Sequence, residues 1–222
     1  MEKIQNPSFT HLSAINLSKK YGSFLALAPI SFELKAGDIT VLSGPNGSGK
    51  TTLLCCLSGL IRPTTGSVTV NGFDLYRDEI EVRRRMIFVP DVPRFYSELT
   101  AWEHLYFIAK ANEVEQNIDR KAEDLLHKFG LWEAKDLFPH HYSRGMQLKL
   151  GLAMAFIRPF DVILLDEPTS ALDAEGVDIL LDELRFLQQQ GKSVLISSHD
   201  KNIIQRLGNQ RLNIQKGVVE VG

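Results

Sequence analysis

The hydrophobic pattern changes period along the chain. His11 to Ser18 and Ile30 to Lys35 alternate apolar and polar residues, the period of half-buried strands, and Ile39 to Leu42 is a further apolar stretch. Lys50 to about Leu60 reads as a helix, Arg62 to Gly66 as a turn, and Val68 to Val70 as a strand closed by the Asn71-Gly72 turn. Met86 to Val89 is another short strand. Beyond it Thr100–Ala111, Ile118–Phe129 and Ser143–Phe156 carry apolar residues three and four apart, predicting a group of helices. Val162 to Leu165 is continuously apolar, as a strand covered on both faces requires. A helix over Ala174–Gln190 and a strand over Ser193–Ser197 restore the first rhythm. The pattern predicts one α/β domain over residues 1–222. It has an N-terminal antiparallel β part, a mainly parallel sheet and an inserted helical subdomain at about 95–155. No repeat, low-complexity tract or linker divides it.

Directly after the Ile39 strand, Gly44 to Thr51 reads GPNGSGKT, a full match to G-x-x-x-x-G-K-S/T, with a helix predicted to follow. Glycines at 44, 47 and 49 let successive backbone amides turn inward around phosphate oxygens, and the helix adds its positive end. In this reading Gly44, Pro45, Asn46, Gly47, Ser48, Gly49, Lys50, Thr51 and Thr52 bind the phosphates. Lys50 supplies a point charge and Thr51 a hydroxyl for Mg²⁺. The core is therefore of P-loop NTPase type, and the ligand a nucleoside triphosphate.

Composition narrows the remaining classes. The chain has 222 residues, 44% hydrophobic and 23% charged, an ordinary globular balance with core enough for one large or two small domains. A net charge of -2 gives no global field for nucleic acid or anionic lipid, and no nucleic-acid partner is expected. No apolar run approaches the roughly 18 residues of a membrane span, and Met1 to Thr10 lacks a signal-peptide layout, so a cytosolic location is expected. Cys55 and Cys56 are adjacent, without a second pair to complete a metal site, and read as small buried thiols. His140 and His141 have no partners at metal spacing and read as surface residues.

A second constellation lies at the end of the Val162 strand, where Asp166 and Glu167 follow the apolar run. Ligands of parallel sheets bind at that edge. Asp166 is placed to hold Mg²⁺ and Glu167 to polarise a water attacking the γ-phosphorus. The segment Ser197-Ser198-His199-Asp200 follows the next strand.

Together, the phosphate loop, Tyr142-Ser143-Arg144-Gly145-Met146, LLDEPTSALD (Leu164 to Asp173) and SSHD (Ser197 to Asp200) resemble the ATP-binding-cassette (ABC) ATPases. The resemblance spans nearly the whole chain, from YGSFLAL at Tyr21 to beyond His199. It implies that Tyr21 stacks on adenine and that two subunits, as a homodimer or heterodimer, face head to tail. Each ATP is then held between one phosphate loop and the other subunit's Ser143 and Gly145, with Asp173 at the seam. His199 would contact the γ-phosphate and align the water with Glu167. Lys50, Glu167 and His199 are thus the catalytic set, ATP and Mg²⁺ the cofactors, and a separate transmembrane permease the partner. That places the subunit at the cytoplasmic face of the membrane.

The chain departs from that family at two places. The signature commonly reads LSGGQ, but here Tyr142, Arg144 and Met146 replace its first, third and fifth residues. Arg144 either helps neutralise the opposing γ-phosphate or points outward to a surface acid. Asp91 stands where most relatives have a glutamine that touches Mg²⁺; a carboxylate can ligate the ion but adds negative charge. With Leu99 to Leu105, these departures resemble the branch that exports drugs, antibiotics, lipids or polysaccharides. On this reading the chain is expected to end soon after its last core strand, without the C-terminal regulatory domain of importers, which leans the same way. The alternative is a single-cassette ABC ATPase without a transporter, such as one serving Fe-S assembly.

Overall fold

The structure, a computed structural model, describes residues 9–207 and 210–221. Two sheets carry the fold. The first is antiparallel, in the order β2-β1-β4-β5, from β1 (Thr10–Tyr21), β2 (Phe24–Lys35), β4 (Thr65–Val70) and β5 (Phe73–Asp74). The second runs β10-β9-β3-β8-β7-β6, from β3 (Ile39–Ser43), β6 (Met86–Val89), β7 (Val162–Leu165), β8 (Ser193–Ser198), β9 (Gln210–Gln215) and β10 (Val218–Val221). All of its neighbours pair in parallel except β10, which returns antiparallel to β9.

The period-two alternation of the buried strands divides the core between the two faces of this sheet. Ile39, Val41, Ile163, Leu165, Val194 and Ile196 face one way. There they meet the helices α3 (Ala101–Ala111), α4 (Ile118–Lys128), α5 (Arg144–Phe156) and α6 (Ala174–Gln189). Leu42, Val162, Leu164, Leu195 and Leu212 face the other way, toward α1 (Lys50–Leu57) and the antiparallel sheet. The α3 helix starts where a capping box starts it: Thr100 Oγ1 accepts the Glu103 amide, and the Glu103 side chain accepts the Thr100 amide.

Among the boundaries that differ from the sequence reading, two bear on the site. β2 begins at Phe24 rather than Ile30, running through Pro29. It lies at the edge of its sheet, where a missing N–H costs no ladder bond. The last core strand is β9, beyond β8, and it lies directly against β3. Only Leu212 and Ile214 point inward from it, too few apolar positions for a clear period. The short helices α2 (Glu79–Arg85) and α7 (Lys201–Arg206) and the strands β5 and β10 also went unread. Among the described residues no helix is long and apolar enough to cross a membrane.

Candidate functional site

The loop between β3 and α1 is shaped by close approach. Gly44 has φ 153°, and a Cβ there would stand 2.2 Å from the Ile214 carbonyl oxygen. Gly49, with φ 112°, is the residue before α1, and its Cβ would meet the Ala26 oxygen at 2.9 Å. Neither position has room for a side chain. The turn between β9 and β10 braces the loop: Gly217 N–H donates to the Ser48 oxygen at 2.8 Å, while Ala28 N–H donates to the Gly217 oxygen at 2.7 Å. Lys50 Nζ, 6% exposed, donates to the Gly44 oxygen at 2.9 Å and the Pro45 oxygen at 3.3 Å. Ser48 Oγ is buried and has no hydrogen-bond partner among the described residues. An unpaired buried hydroxyl beside a buried ammonium and a helix start suits a phosphate oxygen.

Three parallel strands deliver the other groups to the same edge. Asp166 follows β7, is 3% exposed, and its amide donates to the Val89 oxygen of β6 at 2.9 Å. Ser197 of β8 ties both acids down: its hydroxyl donates to Asp166 Oδ1 at 2.7 Å and accepts the Glu167 amide at 2.8 Å. Glu167 takes the left-handed backbone conformation, φ 46°, at a cost of roughly 1–3 kcal/mol for a residue with a Cβ. That twist aims its carboxylate between two partners. Oε1 stands 3.3 Å from Lys50 Nζ in an ion pair outside hydrogen-bonding geometry, and Oε2 is 2.9 Å from His199 Nδ1.

A cavity of about 700 Å³ opens over these groups. Residues 46–52 line it together with Asp91, Asp166 and Glu167. Thr51, Asp91 and Asp166 also line a neighbouring cavity of about 730 Å³. Among the described residues no cluster of three His, Cys, Asp or Glu could hold a metal by itself. Mg²⁺ needs no such cage, since it usually combines one or two protein oxygens with substrate phosphates and waters. The Thr51 hydroxyl and Asp166 carboxylate fit that demand.

The remaining candidates are placed as follows. Asp91 does not stand free: Arg144 Nη2 donates to both its oxygens at 2.8 Å, and Ser170 Oγ donates to Oδ1 at 2.7 Å. Arg144 thus pairs with an acid of its own chain. Ser143 caps α5, its Oγ accepting the Met146 amide at 3.2 Å. Gly145 packs so closely that a Cβ would lie 2.6 Å from the Ala171 oxygen. Asp173 caps α6 and pairs with Lys149 at 3.1 Å. Its hydrogen bond with Lys149, followed by the Gly176 amide, holds its carboxyl below the usual range. Tyr21 sits at the β1–β2 turn, half exposed under the Lys19 ammonium, and does not line the cavity. Phe24, its cross-strand neighbour, does, with Leu25 and Ala26. Sequence reasoning missed Phe24, Ser197 and the Lys216-Gly217 turn, which also lines the cavity. Ser197 could have been found, since a hydroxyl at a buried strand tip beside two acids needs an acceptor.

The ABC transporter family matches residues 27–170. The uncharacterized ABC transporter ATP-binding protein YdbJ of Bacillus subtilis is 34% identical over 205 residues, covering 92% of this chain; the chain spans 66% of YdbJ. Among solved structures, an ATP binding subunit of an ABC transporter superposes with a TM-score of 0.91 at 30% identity, covering 96% of this chain and 90% of that one. A dimeric ATP-binding cassette in a post-hydrolysis state, bound to ADP and Pi, gives 0.85 at 27% identity, with 94% and 96% covered. The chain therefore belongs to the ABC transporter family, as its ATP-binding ATPase cassette.

Proposed function

We propose that this cassette is the motor of a membrane transporter: two copies, or this chain and a similar one, close on ATP and reopen on hydrolysis, driving a separate transmembrane subunit at the cytoplasmic face. Export is the direction favoured by the sequence departures. The observation that carries the reading is the array Lys50–Glu167–His199 at the mouth of the phosphate loop.

The array supports a division of labour. Lys50 here pairs with Glu167, but a γ-phosphate offers the ammonium a more highly charged partner. Once Lys50 turns to phosphate, Glu167 is left to accept a hydrogen bond from water, with His199 and Ser197 fixing its orientation. Attack on the γ-phosphorus breaks its bond to the bridging oxygen, and ADP leaves with phosphate. Mg²⁺, held by Thr51 and Asp166, would neutralise charge on the phosphates. Ser143, Gly145 and Asp173 are assigned to the opposite subunit's nucleotide, and Tyr21, with Phe24 beside it, to the base.

Glu167→Gln tests the assignment. The variant should bind ATP with little change and hydrolyse it at least ~100-fold more slowly, the scale of losing a general base or positioning group. It should also accumulate as an ATP-bound dimer in size-exclusion chromatography. Hydrolysis at the wild-type rate would remove Glu167 from the catalytic set.

A further inference from the structure

Asp91 and Arg144, two departures from the family pattern, are 53 residues apart in the chain and meet in the fold. Asp91 comes from the exit of β6, Arg144 is the first residue of α5, and Ser170 belongs to the turn after β7, its amide donating to the Glu167 oxygen at 3.0 Å. Both oxygens of the Asp91 carboxylate are engaged by these partners. Yet the residue lines both cavities beside Thr51 and Asp166. Asp91, Asp166 and Glu167 would together face a bound polyphosphate with three carboxylates, against the cations Lys50 and Lys216 in the lining. Arg144 cancels the first of them.

The strength of this pair decides what it can do. All of Arg144's contacts to Asp91 run through one guanidinium nitrogen, not the two-nitrogen fork that makes such pairs strong. Arg144 is 57% exposed and Asp91 37%. Pairs this exposed are weak. Its role is then to direct the carboxylate and cancel its charge, since so weak a pair adds little to folding.

We propose that Arg144 is a positioning residue of the nucleotide site, acting through Asp91. It occupies both oxygens of that carboxylate, which lies beside Thr51 and Asp166, and so withholds them from the divalent ion. The proposal rests on the ATPase reading above. Because Arg144 directly follows Ser143 at the start of α5, a shift of that helix end that breaks the pair frees a second carboxylate, beside Asp166, for the ion. The position of α5 and the affinity for the ion are thereby linked.

The test is ATP binding by the full chain, measured by calorimetry across a Mg²⁺ series, for wild type, Arg144→Gln, Asp91→Asn and the double variant. Arg144→Gln should lower the Mg²⁺ needed for half-maximal ATP binding by at least about fivefold, because the freed carboxylate can join the ion. Adding Asp91→Asn should abolish that shift, whereas Asp91→Asn alone should move the midpoint less than about twofold. Arg144→Lys, which keeps the charge, should stay near wild type. If Arg144→Gln does not fold, Arg144→Ala replaces it. An unshifted midpoint in the uncharged variant, or a shift that persists in the double variant, overturns the proposal alone. Failure of the wild type to bind ATP overturns the ATPase reading with it.

Discussion

Gly145 and Ser143 show how two residues of a signature can be constrained from within their own chain. A Cβ on Gly145 would press against the Ala171 carbonyl at 2.6 Å, and backbone there cannot step aside cheaply. Gly145→Ala should therefore cost about 1–3 kcal/mol of stability as an isolated monomer, read as a lower urea midpoint at an unchanged slope. Ser143→Ala should cost about 1 kcal/mol through the lost helix cap. An unchanged midpoint for Gly145→Ala would mean that the α5 start yields freely. At this scale the sequence was most readable where chemistry is compressed into a short motif. Lys50 is read from its motif, and Asp166 and Glu167 from an apolar strand that ends in two acids downstream of that motif; the structure brings all three to one cavity. Asp91 was readable only as a carboxylate near the ion, because its partner Arg144 is 53 residues away and no local pattern joins them.

At the scale of elements, His104 fixes the approach to α3. It is fully buried, Nε2 accepts the Tyr96 amide at 2.9 Å, and Nδ1 lies 2.7 Å from the Thr100 oxygen, so the ring must be neutral with its proton on Nδ1. Burial lowers its pKa from the ordinary 6.5, outweighing the Thr100 carbonyl and Glu103, which raise it. The unfolded chain then takes up a proton that the folded chain refuses. Stability from this group is complete above pH ~6.5 and declines as the pH falls below it. His11 carries a shift of the same direction, chiefly from burial. Denaturation midpoints should fall between pH 7 and 5, and less steeply in His104→Gln; equal slopes would assign the acid loss elsewhere. The helices around His104 were legible because their periods are long and α3 announces its start with Thr100 and Glu103. β9 was not, because polar residues occupy its outward positions, and β10 was not, because it is four residues long with an exposed Val218 and is a strand only through its pairing with β9.

For the whole molecule, the proposed shared site has a genetic signature. Ser143→Arg and Lys50→Ala homodimers should each be nearly inactive, since each has two damaged sites. Mixing them gives heterodimers in which one site carries both lesions and the other carries neither. Statistical mixing should restore up to about a quarter of wild-type activity in an ATPase assay. If each variant hydrolyses ATP at the wild-type rate as a dilute monomer, the shared site is refuted.

The brace at Gly217 has a consequence in time. β3, which ends in the phosphate loop, pairs with β9 in register from Thr40↔Gln210 to Ser43↔Asn213, and the loop's own Ser48 carbonyl is bonded from Gly217. Contacts so distant in sequence form late, because the intervening chain must be ordered first. During synthesis the GPNGSGKT segment leaves the ribosome well before β9, yet its shape cannot be completed until Gly217 has followed it. A nascent cassette should then capture nucleotide only after β9 has emerged, and a chain truncated before β9 should show no ATP binding by calorimetry.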